Sequence, residues 1–134
     1  EVNTKNNGGS TALMLASLMG HRDVVEILLS NGAEVDAVNN IGSTALILVS
    51  LTGYADTVEM LLTKGAAVNV KDSEGDTPLI RATLMGYTEI VKILLAHGAE
   101  VNVRNKTGMT AFMLARNKGL EEIVQLLREA GARD

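Results

Sequence analysis

The sequence of 134 residues has no cysteine, no tryptophan and one proline, and its aromatic residues are two tyrosines and one phenylalanine. Without cysteine the chain can form neither a disulfide framework nor a thiolate metal site. Its net charge of −4 does not provide the positive field that nucleic-acid binding normally requires. No apolar run approaches the ~20 residues of a membrane span, and residues 1–5 do not resemble a signal peptide. We therefore expect a soluble, intracellular, helical protein.

Glycine, in contrast, is abundant and regularly spaced. Twelve of the 13 glycines form three sets, starting at Gly9, Gly20 and Gly32, in which the residue recurs every 33 positions. A fixed period of this length predicts a linear array of units that contact only their neighbours. The predicted division is a truncated preceding repeat at residues 1–5, repeats at 6–38, 39–71 and 72–104, and a C-terminal capping repeat at 105–134.

Each unit predicts two short helices followed by a loop. Thr77 precedes Pro78, a pair that caps and starts a helix, and the glycine set of Gly20 is expected to end it. A second amphipathic helix should end at the set of Gly32. Residues 65–75 are rich in turn-forming residues, contain the alternation Val68-Asn69-Val70, and predict an extended hairpin loop, here called a finger. Because helices this short are marginal alone, stacking must stabilise them.

The run Gly75-Asp76-Thr77-Pro78-Leu79, continued through residues 86–95 and 98–102, closely resembles the ankyrin repeat, and the resemblance covers the whole chain. It implies an all-α solenoid of stacked helix-turn-helix units with β-hairpin-like finger loops. It also implies an intracellular role in protein binding. The family's histidine is replaced by apolar residues, for which apolar packing should substitute. These residues are Met14, Ile47, Ile80 and Met113.

Few residues are candidates for chemistry. His21 and His97 occupy different positions of the repeat, without cysteine or a paired carboxylate at ligand spacing, so neither a metal site nor a general base is expected. We interpret the recurring threonines as helix caps and not as nucleophiles, because no general base accompanies them. Gly8 and Gly9 lack the lysine and the strand context of a phosphate loop. We expect no enzymatic activity and no cofactor.

The candidate site is an apolar stripe beside the finger tips. The residues just before the glycines that end the first helices line the concave groove in the ankyrin family, and exposed apolar patches commonly mark partner surfaces. The alternative is that these side chains fold down between the helices. The predicted partner-binding residues are Leu18, Met19, Asn40, Ile41, Ser43, Leu51, Thr52, Ser73, Glu74, Asp76, Leu84, Met85, Lys106, Thr107, Met109, Asn117 and Lys118.

The charges near the tips allow two interpretations. The third finger is acidic and the fourth, with Arg104 and Lys106, is basic, so the charges either neutralise each other or fix the register of a charged partner. Arg81 replaces an apolar residue of the other units and is expected to pair with Asp76 or Glu74.

We predict a protein-protein interaction module that binds no nucleic acid, membrane or small-molecule substrate. The alternative is an engineered ankyrin scaffold, or a selected binder, with no natural partner. The last repeat is rich in polar residues, as a capping repeat requires, whereas the first repeat is expected to have a bare face and to self-associate weakly through it.

Overall fold

The computed structural model describes residues 1–133, which contain eight α-helices and no β-strand. The helices are α1 (Ala12–Leu18), α2 (Arg22–Ser30), α3 (Ala45–Thr52), α4 (Ala55–Thr63), α5 (Pro78–Met85), α6 (Thr88–Ala96), α7 (Ala111–Lys118) and α8 (Glu121–Glu129). The first helix of each pair packs on the first helix of the next pair, and the second helices form a parallel row. This is the predicted all-α solenoid.

The ends of the first helices follow the sequence prediction. A threonine Oγ1 accepts a hydrogen bond of 3.2 or 3.3 Å from the backbone N–H three residues later, which satisfies one of the free donors at each helix start. The capping residues are Thr11, Thr44, Thr77 and Thr110. At the other end, glycines such as Gly53 and Gly86 adopt left-handed conformations with φ of 92° and 74°.

Each finger is folded by one side chain. In the second finger, Asn39 Oδ1 accepts hydrogen bonds from the backbone N–H of Ile41 (3.1 Å) and of Ser43 (2.9 Å). The backbone N–H of Asn39 donates to the carbonyl of Ser43 at 3.0 Å, which closes a hairpin-like turn. The equivalent residues of the other fingers are Asn6, Asp72 and Asn105.

Backbone hydrogen bonds also join neighbouring fingers to each other. The N–H of Asn40 donates to the carbonyl of Gly8, and the N–H of Lys106 donates to the carbonyl of Glu74, each at 3.0 Å. The N–H of Ser73 donates to the carbonyl of Ile41 at 3.1 Å. The fingers are therefore one continuous edge of the molecule, held in register by the backbone itself.

The core is a continuous row of aliphatic side chains that runs through all four helix pairs. Leucines of the second helices, including Leu61, Leu94 and Leu127, are fully buried. Ile47 and Ile80, which replace the family's histidine, are buried too, so apolar packing occupies these positions as predicted. Burying such side chains contributes roughly 1.5–3 kcal/mol each, and this term stabilises helices that are too short to persist alone.

The two ends of the stack are different surfaces. In the first repeat Val24 is 44% and Ile27 61% exposed, whereas Ile90, the equivalent of Val24 two repeats later, is buried. At the other end Phe112 is only 4% exposed, because Arg116 and Arg128 cover its ring with guanidinium carbons 5.6 Å from the ring centroid. The first repeat thus has the expected bare apolar face, and the fourth has an arginine-covered one.

Candidate functional site

The outer side of the first helices carries a row of exposed side chains. On α1 and at its C-terminal cap, Leu15, Leu18 and Met19 have the i, i+3, i+4 spacing that places them on one side of a helix. Leu15 is 47% and Met19 59% exposed. We call this surface and its equivalents the first-helix face. Its members are Leu15, Leu18, Met19, Leu48, Leu51, Thr52, Arg81, Leu84, Met85, Leu114, Asn117 and Lys118.

The fingers lie directly beside the first-helix face, as the contacts of Arg81 show. From α5, Arg81 donates to Asp72 Oδ2 through Nε (2.9 Å) and through an Nη2 hydrogen bond of 2.7 Å. Asp72 begins the turn of the third finger, so this pair of charge-assisted hydrogen bonds to one carboxylate oxygen joins the finger to the helix. The third finger and the first-helix face are therefore in direct contact.

Arg81 also contacts Asp76, with 3.2 Å between Arg81 Nη2 and Asp76 Oδ2. The pairing with Asp76 was predicted and is confirmed, but the closest partner is Asp72, and no ion pair to Glu74 occurs among residues 1–133. Asp76 Oδ1 accepts a further hydrogen bond from Asn105 Nδ2 of the next finger at 2.8 Å. The side chains of Asp72 and Asp76 are only 3% and 6% exposed, so this is a buried polar cluster.

The structure distributes the predicted partner-binding residues over three environments. The exposed ones are Met19, Asn40, Ile41, Ser73, Glu74, Met85, Lys106, Thr107, Asn117 and Lys118. The half-buried ones are Leu18, Leu51, Thr52, Leu84 and Met109. Ser43 and Asp76 are buried, which corrects their selection as contact residues. Both lie at the base of a finger, where the turn folds back onto the adjoining helix, and not at its tip.

Sequence reasoning missed one row of this surface. Leu15, Leu48 and Leu114 lie between the fingers and the predicted stripe, and Leu15 is among the most exposed large apolar residues of the first repeat. The signal that identifies them is helical spacing, because Leu15 precedes Leu18 by three positions and Met19 by four.

The acidic charge of the third finger is balanced mainly within its own repeat. Arg81 binds Asp72 and Asp76, whereas Glu74 and Lys106 remain exposed on adjacent fingers. No ion pair joins Glu74 to Lys106 in the part of the chain that the structure describes. The interpretation in which the charges of adjacent fingers neutralise each other is therefore not supported by an ion pair between these two side chains.

Other reactive side chains are dispersed. His97 Nε2 lies 3.1 Å from Glu59 Oε2, a contact that joins the end of α6 to α4, and His21 is exposed at the start of α2. Within residues 1–133, no group of three or more histidine or carboxylate side chains is arranged to hold a metal ion. None of the described helices combines the length and the apolar character needed to cross a membrane.

Comparison with known proteins identifies the repeat. A family model described as ankyrin repeats (3 copies) matches residues 34–105 and 53–134, and one described as ankyrin repeats (many copies) matches residues 1–49. A search of curated proteins finds no significant match. The two models together extend over the chain, and the helix pairs, threonine caps and stacked fingers agree with them. The chain belongs to the ankyrin repeat family.

Proposed function

We propose that this chain binds a partner protein through the first-helix face and the finger tips. Ankyrin repeats are generally protein-protein interaction modules and typically have no enzymatic activity. The observation that carries the proposal is the row of exposed and half-buried leucine and methionine side chains that runs beside the fingers. Soluble proteins that expose contiguous apolar surface commonly use it to bind another molecule.

The rigidity of this surface supports the same proposal. Capped helices and backbone-bonded fingers hold the face in one shape before any partner arrives, which lowers the entropy lost on binding. Met19 and Met85, near the ends of α1 and α5, can adapt to irregular apolar surfaces. An intracellular location, the usual setting of such scaffolds, is part of the proposal.

Leucine-to-glutamate substitution on the first-helix face is expected to abolish partner binding without unfolding the protein. Leu51 is half-buried, so Leu51→Glu should change the free energy of unfolding by less than about 1 kcal/mol. The triple variant Leu18→Glu, Leu51→Glu and Leu84→Glu should lose the proteins that the unmodified chain captures from a cell lysate. Urea unfolding and quantitative pull-down measure the two effects.

Ser30→Glu is the control for added charge, because Ser30 is exposed on α2, away from the first-helix face. It should leave both capture and stability unchanged. A loss of several kcal/mol for Leu51→Glu, with capture intact in the triple variant, would show that these side chains serve the core. If the chain is an inert engineered scaffold, which is the alternative prediction, the unmodified chain and the triple variant should capture the same proteins.

We also propose weak self-association through the bare face of the first repeat. Val24 and Ile27 occupy positions at which later repeats pack against the preceding unit, so the surface already has the shape of a repeat interface. Arg116 and Arg128 cover the opposite end of the stack, which disfavours head-to-tail stacking. A second copy would therefore bind face to face, in a symmetric dimer.

The dimer should appear as a rise in average mass with protein concentration, measured by light scattering. Ile27→Glu is expected to abolish this rise, whereas Lys64→Glu, at an exposed site next to the end of α4, should preserve it. A monomer mass at the highest soluble concentration would refute self-association.

A further inference from the structure

Charge is distributed very unevenly along the stack. Residues 101–120, which include the fourth finger and α7, contain four basic residues and no carboxylate. The remaining residues contain eight basic residues against sixteen carboxylates. The four basic residues are Arg104, Lys106, Arg116 and Lys118. The fourth finger and α7, at one end of the proposed binding surface, thus carry only basic charges on an otherwise acidic protein, and the next carboxylates along the chain, Glu100 and Glu121, lie outside these two elements.

All four basic side chains are exposed, two on the fourth finger and two on α7. Lys106 is exposed at the tip of the fourth finger, and Lys118 is exposed at the end of α7, in the position that Met19 and Met85 hold in other repeats. Arg104 donates through Nη1 to the carbonyl of Gly108 at 2.8 Å, which holds its guanidinium against the same finger. The cationic end therefore includes both parts of the surface, finger and helix.

The nearby carboxylates of the third finger do little to offset this charge. Asp72 and Asp76 are buried and bound by Arg81, which leaves Glu74 as the exposed carboxylate of that finger. Lys106 and Lys118 make no ion pair among residues 1–133. Both ammonium groups are available to a ligand.

The opposite end of the same surface has a different character. In the first two repeats the first-helix face consists of Leu15, Leu18, Met19, Leu48 and Leu51 with one threonine, and it carries no charge. Arg81 is the first charged residue along this face, and its guanidinium is occupied by the two aspartates. The surface therefore changes from apolar to cationic along the stack.

From this polarity we propose that the partner presents a peptide segment with apolar side chains at one end and a cluster of acidic side chains at the other. The inference rests on the proposed function. The apolar end lies over the first two repeats, and the acidic end contacts Lys106 and Lys118. Charge complementarity of this kind fixes the register of a segment and raises its association rate.

A nucleic acid or an anionic membrane fits this surface less well. The four basic residues within 101–120 cannot follow a long phosphate backbone, and the acidic remainder of the chain repels a polyanion. Half of the proposed surface consists of leucine and methionine, whose side chains can neither donate a hydrogen bond nor form an ion pair with a phosphate group.

Selection from a random peptide display library tests the proposal directly. The intact chain should enrich peptides in which apolar residues adjoin two or more acidic ones. The double variant Lys106→Glu and Lys118→Glu should enrich peptides without the acidic cluster. The control Arg22→Glu and Lys64→Glu has the same net charge, at exposed sites on or next to the second helices, and should select as the unmodified chain does.

The best acidic peptide should bind the Lys106→Glu and Lys118→Glu variant about tenfold more weakly, as expected for the loss of two exposed charge pairs. This difference should shrink at high salt, which screens exposed charges. Binding is measured by fluorescence anisotropy, and thermal unfolding confirms that both double variants are folded.

Several outcomes would overturn the inference. The inference is refuted if the enriched peptides show no acidic bias. It is also refuted if the Lys106→Glu and Lys118→Glu variant enriches peptides with the same acidic bias. Either result leaves the proposed function intact. If the triple leucine-to-glutamate variant enriches every peptide that the intact chain enriches, both the inference and the proposed function are refuted. Binding of single-stranded RNA or phosphatidylserine vesicles more tightly than any peptide, lost on lysine reversal, would assign the cationic end to a phosphate ligand.

Discussion

Replacing Arg81 by leucine is expected to lower the free energy of unfolding by about 3–5 kcal/mol, because it leaves buried carboxylates without their cation. Asp72 Oδ2 would lose both of its hydrogen bonds from the guanidinium, and Asp76 Oδ2 would lose its contact at 3.2 Å. Neither carboxylate can turn to water, since both side chains are almost completely buried. Urea unfolding followed by circular dichroism measures the loss.

The second repeat supplies the matched control for this prediction. Asn39, Ser43 and Leu48 occupy the positions that Asp72, Asp76 and Arg81 hold in the third repeat. The triple variant Asp72→Asn, Asp76→Ser and Arg81→Leu copies that uncharged arrangement and should recover most of the lost stability. The asparagine preserves the side-chain oxygen that folds the finger.

The comparison of the two variants separates charge from packing. If Arg81→Leu were as stable as the unmodified chain, the ion cluster would not contribute to folding. If the triple variant were as unstable as Arg81→Leu, the loss would come from the arginine's own packing and not from unpaired carboxylates.

Replacing Gly75 by alanine is expected to lower the free energy of unfolding by about 2–4 kcal/mol. The added Cβ would lie 2.9 Å from the backbone nitrogen of Lys106 and 3.2 Å from Asn105 Cα, so the backbone of the fourth finger would have to move. That nitrogen donates to the carbonyl of Glu74, one of the bonds that hold the fingers together. Gly75 also has φ of +78°, where an alanine is strained.

Gly108 is the control, because it occupies the same position one repeat later. Its φ of +80° imposes the same backbone strain, but no atom that an added Cβ would meet lies within 4 Å. Gly108→Ala should therefore cost only about 1–2 kcal/mol. The difference in thermal or urea unfolding between the two variants reports the close approach of the fingers. Equal losses would show that this approach contributes nothing.

Much of this fold follows from local chemistry that repeats along the chain. A threonine oxygen caps a backbone N–H three residues later, and a glycine with positive φ ends a helix. Both effects act within a single turn, so Thr77 and Gly86 identify helix ends without any knowledge of the neighbouring units. The period of 33 residues then implies stacking, because helices this short need neighbours to bury their apolar sides. The predicted stripe of Leu18, Leu51 and Leu84 depends on the same regularity.

The amino-acid sequence by itself therefore determined the repeat, the helix caps, the glycine helix ends and the apolar composition of the first-helix face. Tertiary structure alone decided that Asp72 is the main partner of Arg81 and that Ser43 and Asp76 are buried. The physical reason is distance along the chain. Caps and turns join atoms a few residues apart, whereas burial and the choice between neighbouring carboxylates depend on how each finger packs against its helix and on the next repeat.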